Sequence, residues 1–197
     1  DITVHFDMDF EDKGRQREIF HFPDKGNFAV SLGDLKASGV AKQASIWGGI
    51  QLHFDLLGTE DNALRGDVTL KKQGGGNRVA ADFLFGQSRI TANLKARLNM
   101  MHGDILFPVL TFEDIGRLYA LYEEFENHIT VYDKARPADF SGLDYDLIFT
   151  VDDLRGGTTN LGHVRLPVRV AAQVMRAGPL QGVFSKGKLS GEFTLDT

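Results

Sequence analysis

Period-two alternation, repeated along most of the chain, is the feature that most limits what this sequence can fold into. Ile2, Val4, Phe6, Met8 and Phe10 alternate with Thr3, His5, Asp7 and Asp9. Ile50, Leu52, Phe54 and Leu56 alternate with Gln51, His53 and Asp55, and Leu64, Gly66, Val68 and Leu70 with Arg65, Asp67 and Thr69. The pattern returns over 90–98, 143–151, 164–174 and 189–195, with shorter candidates near 17–22, 27–32, 78–85, 104–110 and 129–132. Successive side chains of a strand point to opposite faces, so each run reads as a strand with one apolar and one wet face.

The breaks between runs carry turn chemistry: Pro23-Asp24-Lys25-Gly26, Glu60-Asp61-Asn62, Gly74-Gly75-Gly76-Asn77 and Gly156-Gly157. Gly makes up 22 of the 197 residues and Pro only 5, which suits many tight reversals between strands. Strands joined by short loops are antiparallel, because a parallel crossover needs about a dozen residues or more. About a dozen such strands must hide their apolar faces against one another. The expectation is therefore a mainly β, single domain over 1–197: an antiparallel β-barrel or a two-sheet β-sandwich.

One segment has a different period. Thr111-Phe112-Glu113-Asp114 reads as a helix cap and an acidic first turn, and Phe112, Ile115, Leu118, Tyr119, Tyr122 and Phe125 fall on one helical stripe. The spacing predicts an amphipathic helix over 112–126, with Asn127 as its C-cap, plugging a barrel end or packing across a sheet edge.

Several function classes are excluded or lose support. The chain has no Cys, so no disulfide, thiolate metal site or cysteine nucleophile can form. That absence suits a periplasmic, secreted, virion or cytosolic protein alike, and a start at Asp1 fits a processed mature chain or a trimmed one. No window supplies the roughly 18–20 apolar residues of a membrane-spanning helix. A net charge of −5, with no basic–aromatic interleaving, argues against nucleic acid as a partner. The single Trp, Trp47, argues against a sugar-binding module. Gly74–Gly76 is not followed by the Lys-Ser or Lys-Thr of a phosphate loop, and no nucleophile elbow or His-Glu-x-x-His pair occurs.

Two constellations remain. His5-Phe6-Asp7 and His53-Phe54-Asp55 each place His and Asp on one strand face, a spacing also used by non-haem iron oxygenases, with His102, His128 or His163 as third ligands. Alternation alone produces the same pairs on a solvated face, and no metal or other cofactor is expected. Arg65-Gly66-Asp67 spells an integrin-binding tripeptide but falls inside a strand pattern.

Charge is the more informative feature. Residues 1–61 carry 6 basic and 11 acidic side chains, whereas 154–197 carry 6 basic and 2 acidic. His163, Arg165 and Arg169 share one strand face with Pro167, and a Pro in a strand points to an edge. These three are the candidate ligand-binding residues, for an anionic group or a carboxylate-rich neighbour. The alternative is a charged edge that blocks aggregation.

Leu64-Arg-Gly-Asp-Val-Thr-Leu70 and Leu189-Ser-Gly-Glu-Phe-Thr-Leu195 share one pattern. The second resembles the β-rich repeats of bacterial envelope lipid-transfer proteins, over a few strands and with no site attached. The expected function is a non-enzymatic extracytoplasmic binding protein whose Phe-rich interior holds an apolar or amphipathic small molecule. A structural subunit of a virion or cell-surface assembly, joined through opposite-charge ends as a homo-oligomer, is the alternative. A His-x-Asp metal enzyme stands third.

Overall fold

A computed structural model gives the fold of residues 2–9, 25–43, 49–97, 99–132, 144–157, 159–171, 174–184 and 187–196. Eight strands come first: β1 (Ile2–Asp9), β2 (Lys25–Leu32), β3 (Leu35–Gln43), β4 (Ile50–Gly58), β5 (Ala63–Gln73), β6 (Gly76–Phe85), β7 (Ser88–Arg97) and β8 (Met100–Thr111). Helix α1 (Phe112–Tyr132) follows, then β9 (Asp144–Gly156), β10 (Thr159–Ala171), β11 (Val174–Phe184) and β12 (Gly187–Asp196).

All twelve strands belong to one sheet, hydrogen-bonded in the order of the sequence, with β1 and β12 at its two ends. Every neighbouring pair is antiparallel except β8 and β9, which run parallel. A parallel pair needs a long crossover, and α1 lies within the one that joins them. The fold is thus mainly β and mostly antiparallel, with one helix.

Register carries the alternation across the whole sheet. Leu52 pairs with Val68, Val68 with Ala81, Ala81 with Ala92, and Ala92 with Ile105. Ile105 continues to Phe149, and Phe149 to Leu166. One face is therefore largely apolar and the other mixed, carrying most of the charged residues together with Leu84, Ile148 and Val183, because a slip of one residue would invert every side chain of a strand.

That apolar face is concave towards the helix. Asp114, Leu118, Leu121 and Phe125 share one side of α1. Asp114 bonds to Ser88 at the start of β7, whereas Phe125 borders a hollow of ≈ 210 Å³ with Val30 and Leu32 of β2. Eleven residues of helix cover about 16.5 Å. Five strand spacings in a flat sheet would cover about 24 Å. The sheet must curl for one helix face to reach both.

Glycines permit the curl along one inner row. Phe28 pairs with Gly39, Gly39 with Phe54, Phe54 with Gly66 and Gly66 with Phe83. The rings of Phe28 and Phe54 meet edge to face at 5.5 Å over Gly39, and those of Phe54 and Phe83 lie 5.9 Å apart over Gly66. A Cβ at Gly66 would sit 2.0 Å from the Asp82 carbonyl oxygen, and one at Gly39 would sit 1.8 Å from that of His53. Any other residue would push the neighbouring strand away.

The structure corrects four expectations. The helix continues past Asn127 to Tyr132 and takes in 129–132, because extending a formed helix adds one hydrogen bond per residue fixed. Its buried stripe is also rotated: Phe112, Ile115, Tyr119 and Tyr122 are exposed, while Leu121 is buried. The run 164–174 is broken between Ala171 and Val174, where the chain reverses. Finally, β10 is not an edge, since it pairs with β9 and with β11. Pro167 is accommodated because the β10–β11 register shifts between Arg165 and Val168, where its missing N–H interrupts no regular ladder. The candidate strand at 17–22, and the side chains of His5, Asp7 and His128, lie outside the described residues.

Candidate functional site

The concave apolar face forms a trough whose two ends are built differently. Strand turns at 33–34, 59–62 and 86–87 lie at the helix end, and those at 74–75 and at Asn99 lie at the other.

At the helix end the interior is closed. Leu35, Phe85 and Leu121 are fully buried together, with Leu64, Leu118 and Phe125 packed around them. Leu110 and Leu154 are buried at the same end. Thr111 caps the helix as expected, its Oγ1 accepting from Asp114 N at 3.1 Å. The Asp114 carboxylate is 2 % exposed, and its Oδ2 accepts from the Ser88 hydroxyl at 2.7 Å and from the Gln87 amide at 3.0 Å. Ser88 Oγ in turn accepts from Thr111 N at 3.1 Å, so a closed polar knot joins helix, hairpin and β8. Arg117 adds a second tie: it donates to Asn62 Oδ1 at 3.0 Å and to the Asp61 carbonyl at 2.6 Å, and lies 5.3 Å from the Phe85 ring centroid.

Beyond the helix, no element among the described residues covers the wall. Phe28, Leu52, Phe54, Val68, Phe83, Ile90, Ile105, Phe149 and Leu166 all point inward by register, and all are half-buried. In a filled interior such side chains would be among the most buried of the chain. Among the described residues, the one fully buried apolar side chain away from the helix end is Ala177, beside the irregular β10–β11 pairing.

The charges also differ between the ends. The helix end carries Asp34, Glu60, Asp61, Glu113 and Glu123, with Lys36 donating to Glu60 at 2.5 Å. That bond raises the Lys36 pKa and lowers that of Glu60. The open rim is basic. On the outer face, Lys71 pairs in register with Arg78, Arg78 with Lys95, and Lys95 with His102.

The sequence-predicted residues His163, Arg165 and Arg169 are exposed on the outer face of β10, opposite the apolar wall. Six residues of strand separate the first from the last, about 20 Å. His163 Nδ1 lies 3.7 Å from Asp152 Oδ1. Arg165 stands against Thr150. Arg169 stands against Asp146, which itself stands against His102, so an exposed acid separates Arg169 from the row of Lys71, Arg78, Lys95 and His102. The three share a face without converging on one point.

His53 is held between two carboxylates, with Nδ1 3.1 Å from Asp67 and Nε2 3.6 Å from Asp55. Among the described residues no three metal-binding side chains are grouped. Arg65-Gly66-Asp67 lies within β5, in the interior of the sheet. No helix of the described residues is long and apolar enough to cross a membrane.

The basic rim was missed because its members are scattered in sequence, although hairpin arithmetic was able to find it. Two-residue turns at 74–75 and 86–87 place 71 against 78, and 78 against 95. No protein-family model matches this sequence, and no curated protein or solved structure matches it.

Proposed function

We propose that this protein is a non-enzymatic binding protein, working outside the cytoplasm, that holds an apolar or amphipathic small molecule along the inner wall of the trough. The observation that carries this reading is the partial exposure of the inward apolar side chains from Phe28 to Leu166, next to a packed helix end. Leaving so much apolar surface in water forfeits about 25 cal/mol for each Å² that a ligand could cover. A chain-like apolar molecule fits a wall that is long, continuous and one side chain deep.

Native mass spectrometry followed by denaturing extraction tests this directly. The expected result is a mass above that of the polypeptide and a lipid-like molecule in the extract. A bare polypeptide mass, with nothing extracted and no binding of a neutral apolar dye, overturns the proposal.

A second reading has its own support. The acidic helix end and the basic rim face opposite ways along the strands, which favours head-to-tail contact between copies in a virion or cell-surface assembly. Sedimentation across protein concentration and salt distinguishes it: assembly at low salt that dissolves at high salt supports it, and a salt-independent monomer removes it.

A further inference from the structure

We propose that the outer face of the sheet carries a binding site for a small, soluble, phosphate-bearing anion, in a recess at the tips of the β5–β6 and β7–β8 hairpins. The site lies on the face opposite the trough and does not rest on it.

The recess has a volume of ≈ 300 Å³, and its lining includes Gln73, Gly76, Arg78, Lys95, Arg97 and His102. Register puts these residues on the outer face. Gln73 pairs with Gly76, Arg78 with Lys95, and Lys95 with His102, while Arg97 lies two residues beyond Lys95 on the same strand. Gly76 accounts for the recess. A Cβ there would sit 2.7 Å from the Ala96 carbonyl oxygen and 3.5 Å from Arg97 Cβ. The floor is therefore bare backbone, with basic side chains around it.

Those side chains lack the partners that other outer-face cations have. Arg89 donates two hydrogen bonds to Asp82 at 2.9 and 2.6 Å, and His53 is held by Asp67. Among the described residues, no carboxylate forms an ion pair with Lys71, Arg78, Lys95, Arg97 or His102. The acids nearest in register, Asp104 and Asp146, stand against Asn93 and His102. Arg78 is braced by a neutral acceptor instead, its Nε donating to Asn93 Oδ1 at 3.0 Å. Lys71, Arg78 and Lys95 stand directly opposite one another on three adjacent strands. Like charges in that register destabilise a sheet, and a bound anion removes the cost.

Phosphate suits the donor set better than carboxylate, because its oxygens take planar guanidinium forks and a point-like ammonium at the same time. Adjacent strands lie about 4.8 Å apart, so one such group reaches donors on β6 and β7 together. The recess is roomier than a single phosphate group requires, since a water occupies about 30 Å³. A hollow of this size on the convex side of a curled sheet takes a compact molecule rather than a flat membrane surface.

Calorimetric titration tests the site with three probes: pyrophosphate, citrate and phosphatidylglycerol vesicles. Arg78→Gln/Lys95→Gln removes two charges at the recess, and Lys42→Gln/Lys188→Gln removes two from exposed positions elsewhere. The expected result is pyrophosphate binding that weakens at least tenfold in the recess variant and by less than about twofold in the other. If circular dichroism shows that the recess variant is misfolded, Arg97→Gln is measured in its place, with an expected loss of at least about threefold. Absence of pyrophosphate binding by the wild type overturns the proposal. Equal weakening in the two double variants overturns it in favour of bulk charge. Citrate bound as tightly as pyrophosphate overturns the assignment to phosphate. Vesicle binding without pyrophosphate binding overturns the soluble ligand in favour of a membrane surface.

Discussion

The helix end and the open trough use the same strands for opposite purposes. At the helix end, Leu35, Phe85 and Leu121 are sealed beneath α1, and the buried carboxylate of Asp114 has its donors supplied by Ser88 and Gln87. A few residues further along the same strands, Phe83, Ile90 and Phe54 point the same way and stay partly exposed. The comparison separates what holds the fold from what is available to a ligand. One end is packed because a helix covers it, and among the described residues no other element covers the rest.

The largest effect expected from breaking this contrast is at Leu121. Leu121→Ala should cost about 2–5 kcal/mol of stability, the usual range for emptying a packed site. Leu52→Ala, in the uncovered wall, should cost about 1 kcal/mol, since only part of its area leaves water on folding. Urea midpoints of the two variants measure the difference, and similar costs would mean that the wall is packed too. Asp114→Ala should follow at about 1–3 kcal/mol, because it leaves the buried Ser88 hydroxyl and the part-buried Gln87 amide without their acceptor. Ser88→Ala combined with Asp114→Ala should then cost less than the sum of the single changes.

Smaller effects sharpen the comparison from the trough side. Within a homologous series of amphiphiles, each added methylene contributes up to about 0.8 kcal/mol, or about fourfold in affinity, until the wall is full. A titration series with no dependence on chain length would contradict a ligand lying along the wall. On the outer face, the Arg89 hydrogen bonds hold the Asp82 carboxyl below its ordinary value of 3.8. A depressed carboxylate pKa adds stability that is present above that value and lost as pH falls through the folded one. Both groups are about half exposed, so Arg89→Gln should lower stability only slightly at pH 7, with a smaller difference from wild type well below pH 3.8. Denaturation at the two pH values checks the sign. Smallest of all, Arg165→Glu should change stability by under about 0.5 kcal/mol, as for other exposed substitutions.

Much of this contrast can be read from the sequence, and its limits have physical causes. Alternation at 50–56, 64–70 and 90–98 gives strands with one apolar face, because period two is the geometry of the pleat itself. Thr111 and Asp114 mark the helix start through the chemistry of its unpaired amides. Two strands are hard to see: β3 has small residues such as Ala37, Gly39 and Ala41 facing inward, and β11 is interrupted by Gly178-Pro179. Their identity as strands comes from neighbours that pair on both sides rather than from a hydrophobic pattern. Leu121 was not in the predicted stripe because Phe112, Ile115, Tyr119 and Tyr122 form a more apolar one on the opposite side. Which side meets the sheet is settled by where β6, β7 and the 59–62 loop end. The charged residues of β10 are legible as an exposed face, yet their spread along that strand follows only from the register.

The account's central claim is that the inner wall away from the helix is a ligand surface, whereas the wall beneath the helix is core. Photo-crosslinking from inside the trough tests it most directly, with p-benzoylphenylalanine placed at Phe54 in one protein and at Phe85 in another. After irradiation in the expressing cell, the Phe54 position should yield an adduct heavier than the polypeptide by the mass of a small amphiphile. The Phe85 position should yield only links within the chain. No small-molecule adduct at Phe54, or the same intrachain links at both positions, would contradict the claim.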